Sequence, residues 1–154
     1  MIRFILLFAF AIPSLTGCQK GGAYVPVSGT IYLDEKPLAN TMVTFQPTAS
    51  TGHDTGGVGS YAMTDDQGNY QLEAMTETPI PGALPAVHQV RIATPPPKGN
   101  EDSDAAATGK KKYRDPIPKR YNVESKLTYE VPAGGTKSAD FKLTSHPTKD
   151  DGRN

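Results

Sequence analysis

Apolar residues return at every second position in seven short stretches of this 154-residue chain. Val27-Ser-Gly-Thr-Ile-Tyr-Leu33 places Val27, Ile31 and Leu33 on one face, with Gly29 between them. Thr41–Gln46 does the same with Val43 and Phe45, and Ala86–Thr94 sets Val90 and Ile92 against Gln89 and Arg91. Ser60–Thr64 and Tyr70–Leu72 flank Asp65-Asp66-Gln67-Gly68-Asn69, while Leu127–Val131 and Ala139–Leu143 alternate almost ideally. A period of two with turn residues between the segments predicts antiparallel strands that bury one face. Seven such strands predict an all-β chain folded as one antiparallel β-sandwich. Its expected core is Val43, Phe45, Val90, Ile92, Tyr129, Val131, Phe141 and Leu143. No stretch of the mature chain carries a helical period.

Residues 95–114 break the pattern. They run from a Pro-Pro-Pro start through Glu101, Asp102 and Asp104 to Lys110-Lys-Lys-Tyr-Arg114, with one aromatic residue. Such a composition buries too little apolar area to offset its ordering entropy, so a mobile surface loop is expected there, and a solvated tail over 146–154. The next residues, Tyr113-Arg-Asp-Pro-Ile-Pro-Lys-Arg-Tyr-Asn122, read differently. Pro116 and Pro118 each lack an N–H and restrict the preceding residue, which predicts an extended path packed on the sheet and no helix.

Composition narrows the function classes. Fifteen glycines and fourteen prolines exclude a helical bundle. Sixteen Lys and Arg balance sixteen Asp and Glu, so the general basic field of a nucleic-acid binder is absent. One cysteine permits neither an intrachain disulfide nor a cysteine-based zinc cluster.

The N-terminus reads as an export signal. Arg3 precedes the apolar run Phe4–Ile12, whose nine residues would cross only about half of a roughly 30 Å hydrocarbon core. The run leads to Leu15-Thr-Gly-Cys18, which resembles a bacterial lipobox. The resemblance implies that 1–17 is a lipoprotein signal peptide and that the Cys18 thiol is acylated and becomes the mature N-terminus. Residues 18–25 would then be a lipidated tether. The residue after the cysteine is Gln19, not the Asp that argues for inner-membrane retention, which points to the outer membrane.

Candidate chemistry is sparse. His53, His88 and His146 are not paired at a metal-ligand spacing and are expected on the surface or on a strand face. Gly57-Val-Gly-Ser60 lacks the spacing of a nucleophile elbow, and Gly109-Lys110 is not followed by the Ser or Thr of a P-loop. Asp65–Asn69 fails as an EF-hand loop, since Met63 and Ala74 fall where carboxylates are needed; it reads as a tight turn. No catalytic set, metal site or cofactor is expected.

Val27-Ser-Gly-Thr-Ile, Asp34-Glu-Lys-Pro-Leu38, Val43-Thr-Phe45 and Thr64-Asp-Asp-Gln-Gly-Asn-Tyr70 resemble carboxypeptidase-regulatory-like (transthyretin-like) domains. Ile117-Pro-Lys-Arg-Tyr-Asn122, Val131-Pro-Ala-Gly-Gly-Thr136 and Ala139–Thr144 are similar to the closing part of small bacterial lipoproteins with that domain. The resemblance spans Pro26–Ser145 and implies a prealbumin-like, immunoglobulin-like sandwich over 26–145, generally a non-catalytic accessory or binding module. Glu35 stands where the family usually has Gly, so the hairpin there is expected not to use a type I′ turn. Arg114, Lys119, Arg120 and Tyr121 are the expected partner-binding residues, for an envelope protein or glycan beside the membrane that holds Cys18. The alternative reading is a small periplasmic or surface enzyme, or a ligand carrier, with its chemistry in the loops.

Overall fold

The computed structural model describes residues 24–48, 57–96 and 113–146. The signal segment, Cys18, His53, residues 97–112 of the expected mobile loop and residues 147–154 of the tail lie outside them.

In chain order the strands are β1 (Ser28–Leu33), β2 (Lys36–Pro37), β3 (Met42–Pro47), β4 (Ser60–Met63) and β5 (Asn69–Gln71). Then come β6 (Glu73–Ala74), β7 (Ile80–Pro81), β8 (Val87–Ala93), β9 (Thr128–Glu130) and β10 (Phe141–Leu143). All seven periodic segments therefore form strands, and β2, β6 and β7 are two-residue additions too short to leave a period. The larger sheet is antiparallel in the order β7-β6-β4-β3-β8-β9. In the smaller sheet β1 is central, with β2 and β5 antiparallel on one side. On its other side β10 runs parallel, with Ile31 opposite Phe141. Alternation fixes which face of a strand is buried but carries no strand direction, so this parallel pair was not foreseen.

The alternating residues meet between the sheets. Val27, Ile31, Val43, Phe45, Val90 and Ile92 have no exposed surface, and Val131, Phe141 and Leu143 are buried. Tyr129, expected in the core, is half-buried and packs against it. Phe45 is the centre of an aromatic cluster, its ring 5.7 Å from His88, 5.8 Å from Tyr129, 6.0 Å from Phe141 and 6.5 Å from Tyr70. Burying a side chain of this size contributes about 1.5–3 kcal/mol.

His88, expected on the surface or on a strand face, lies on the inward face of β8 and is fully buried: its imidazole follows Val90 and Ile92, and Nε2 lies 2.8 Å from the Leu84 carbonyl oxygen. Three local expectations need correction. Asp34 (φ 49°) and Glu35 (φ 65°) are both left-handed in a two-residue hairpin that pairs Leu33 with Lys36. That is the backbone a type I′ turn requires, adopted here without the favoured glycine. Lys119–Tyr121 forms one turn of 3-10 helix, because Pro118 sits before the turn, where its missing N–H costs nothing. Val25, expected in the tether, already pairs with Ala83.

The acidic Asp65–Asn69 segment is the tight turn expected of it. The Asp65 carboxylate accepts the N–H groups of Gln67 at 2.9 Å and Asn69 at 2.8 Å, and Gly68 supplies φ +76°. These donors, led by Asn69, hold the Asp65 carboxyl below the usual carboxylate range.

Candidate functional site

Ile117 explains the course of the segment that follows the 97–112 stretch. It is 2% exposed and belongs to the core, so the chain must come down onto the sandwich there. Asp115 fastens both sides of that descent. Its carboxylate accepts the N–H of Ile117 at 2.9 Å, the side-chain amide of Asn122 at 3.0 Å and the N–H of Thr94 at 3.2 Å. Thr94 follows β8 directly, and the Tyr113 hydroxyl also donates to its carbonyl, at 3.0 Å. Burial and the adjacent Asp115 charge push the Tyr113 hydroxyl above the ordinary tyrosine value, so it stays a neutral donor. Thr94 and the Tyr113–Asp115 segment are thereby held together at the end of β8, and Tyr113 and Arg114, expected in the mobile loop, belong to the described part of the chain.

The four expected partner residues divide into two pairs. Arg120 and Tyr121 face the end of β10. Arg120 Nη2 donates to the carbonyl oxygens of Thr144 and His146 and to the Thr144 hydroxyl, and its guanidinium lies 4.7 Å from the centre of the Tyr121 ring. Burial opposes ionisation of Tyr121, yet its bonds to Thr144 and Arg120 together bring the hydroxyl below the ordinary tyrosine value. Both residues thus tie the 3-10 turn to the residues that follow β10, and His146, expected in the solvated tail, takes part.

Arg114 and Lys119 are exposed instead. No hydrogen bond or ion pair joins either side chain to another described residue. They line a groove of about 540 Å³ that also includes Tyr113, Asp115, Ile117, Asn122 and Ser145. The hairpin tip reaches the same place, since the Asp34 carboxylate accepts the Ser145 N–H at 2.9 Å. Contact with Ser145, through its side chain and then its backbone, holds the Asp34 carboxyl below the usual range.

Sequence reasoning named the two exposed cations but missed Asp115 and Asn122, which shape the groove. The signal was present as Asp115-Pro116, a dipeptide that favours turn initiation through the Asp side chain. Elsewhere, the Ser60 hydroxyl and His88 Nδ1 are buried without a hydrogen-bond partner among the described residues. No group of three or more His, Cys, Asp or Glu side chains among the described residues is arranged to hold a metal ion. Comparison with protein-family models, curated proteins and solved structures finds no match to this chain.

Proposed function

We propose that this chain is an exported, lipid-anchored protein of the bacterial cell envelope, facing the periplasm or surface from the outer membrane. Its sandwich would act as a non-enzymatic binding or structural module of the carboxypeptidase-regulatory-like kind. The observation that carries this reading is the position of the single cysteine, which closes Leu15-Thr-Gly-Cys18 after a nine-residue apolar run. The all-β architecture supports it, as does the pairing of Val25 with Ala83. Only residues 19–24 separate Cys18 from that pair, a reach of about 20 Å when extended. A body held so close to a bilayer suits a scaffold or a receptor for envelope material, and the groove beside Arg114 and Lys119 is its proposed contact surface.

Metabolic labelling with radioactive palmitate tests the anchor. The wild-type chain should take up label and partition into detergent, whereas Cys18→Ser should remain unlabelled and keep its signal segment. Label on the Cys18→Ser protein, or none on the wild type, would overturn the lipoprotein reading.

A further inference from the structure

We propose that the groove between Tyr113 and Val123 is a binding site for a phosphate-type anion, carried by a lipid headgroup or by a soluble envelope phosphate. The inference deepens the binding-module reading, and it rests on the groove itself and not on acylation of Cys18.

Three observations favour an anion. First, the two cations that line the groove, Arg114 and Lys119, are exposed, and no hydrogen bond or ion pair holds either side chain to another described residue. Second, the one carboxylate in the lining is already committed, because Asp115 accepts from Thr94, Ile117 and Asn122. Those three N–H donors occupy its oxygens, which among the described residues pair with neither cation. Third, the backbone that carries the cations is anchored by contacts that need no ligand. Pro116 and Pro118 fix two φ angles, Ile117 is 2% exposed in the core, and Asp115 clamps both ends of the turn. Preorganisation of this kind lowers the ordering cost of binding.

The types of cation narrow the class. A guanidinium offers a planar fork and an ammonium a compact point charge, and both are established phosphate-binding groups. Two cations on one groove favour a phosphate group, whose several oxygens can accept from both, over a single carboxylate. A neutral glycan would leave both charges without a partner. Because the cations are exposed, the contact should be salt-sensitive and individually modest.

The test uses the full chain in neutral detergent micelles, isotopically labelled and followed by NMR at low salt. In one arm pyrophosphate is titrated; in the other, phosphatidylglycerol is added to the micelles, with phosphatidylcholine as control. Saturable shifts at the Arg114 and Lys119 signals, weakened on going from 50 to 200 mM salt, are expected in at least one arm. Response to pyrophosphate assigns a soluble phosphate; response to phosphatidylglycerol alone assigns a headgroup. Arg114→Gln and Lys119→Gln should each weaken binding about two- to fivefold, and the double variant should abolish it. Unchanged Ile117 and Asn122 signals would verify that these exposed substitutions leave the fold intact. Absence of saturable shifts in both arms, or equal binding by the double variant, would overturn the proposal. Binding that persists in a chain found to carry no acyl group would sink the anchor while leaving the groove assignment standing.

Discussion

The Tyr70 hydroxyl donates to the Ala139 carbonyl at 2.6 Å, joining residues 69 positions apart in the chain. Gly29 makes the contact fit. It lies opposite Tyr70 in the β1–β5 ladder, and a Cβ at that position would overlap the Ala139 carbonyl. One absent side chain and one buried hydroxyl therefore seat the approach to β10 against β1. Burial pushes the Tyr70 hydroxyl far above the ordinary tyrosine value, so the donor keeps its proton throughout the physiological range.

Replacing Tyr70 with Phe should lower unfolding stability by about 1–3 kcal/mol, because a buried carbonyl loses its donor. Gly29→Ala should cost more, since backbone must move to admit the methyl group. Urea denaturation checks both, with midpoints falling at constant slope. A Tyr70→Phe chain as stable as wild type would show that another donor satisfies Ala139.

His88 gives the fold a pH dependence of definite sign. Burial lowers its pKa in the folded chain below the ordinary 6.5. As pH falls, the unfolded chain binds the proton first, so stability is full above about pH 6.5 and declines below it. Asp34 and Asp65, whose folded values are lowered, add a separate loss only below about pH 4. Melting temperature measured between pH 7.5 and 5 should fall for wild type and stay flatter for His88→Phe. Identical slopes for the two chains would remove His88 as the cause.

The hairpin tip should be improvable. Glu35 occupies φ 65°, a conformation that costs a side-chain-bearing residue roughly 1 kcal/mol or more. Glu35→Gly should raise stability by about 0.5–1 kcal/mol, the relief being partly offset by the greater freedom of an unfolded glycine. Thermal melts decide this, and a lower melting temperature for Glu35→Gly would contradict the assigned strain.

Asp115 should control local order. Asp115→Ala would leave the N–H groups of Thr94 and Ile117 without their acceptor and free the Asn122 amide. Hydrogen exchange at the Thr94 and Ile117 amides should quicken about 10- to 100-fold, while the Phe45 and Val90 amides of the central strands stay protected. Uniform acceleration across the sandwich would instead mean that the segment opens only with global unfolding.

Much of this architecture was legible because the relevant physics is local. A strand with one buried face must alternate, so Val43 and Phe45, Val90 and Ile92, and Phe141 and Leu143 announced both the strands and their inward sides. The Asp65–Gly68 turn was equally plain, since its chemistry lies within five residues. The groove was legible only in part. Arg114 and Lys119 stood out as charges, but nothing local separates them from Arg120, whose guanidinium meets Thr144, 24 residues away.

Local pattern alone was enough for the all-β class, the seven periodic strands and most of the inward residues. Each depends on neighbours within a few positions. Tertiary structure alone decided the rest. It set β10 parallel to β1, because the chain entering β10 already runs alongside β1 from the parallel Val27–Thr136 bridge, a contact between distant segments. It held Asp34 and Glu35 in left-handed conformations, because the β1–β2 register leaves two residues to reverse the chain, whatever their intrinsic preference. It turned Arg120 onto Thr144 and His146 and left Arg114 and Lys119 on the groove, because the acceptors that hold Arg120 come from the far end of the chain. Those outcomes depend on contacts between distant segments, which no local pattern encodes.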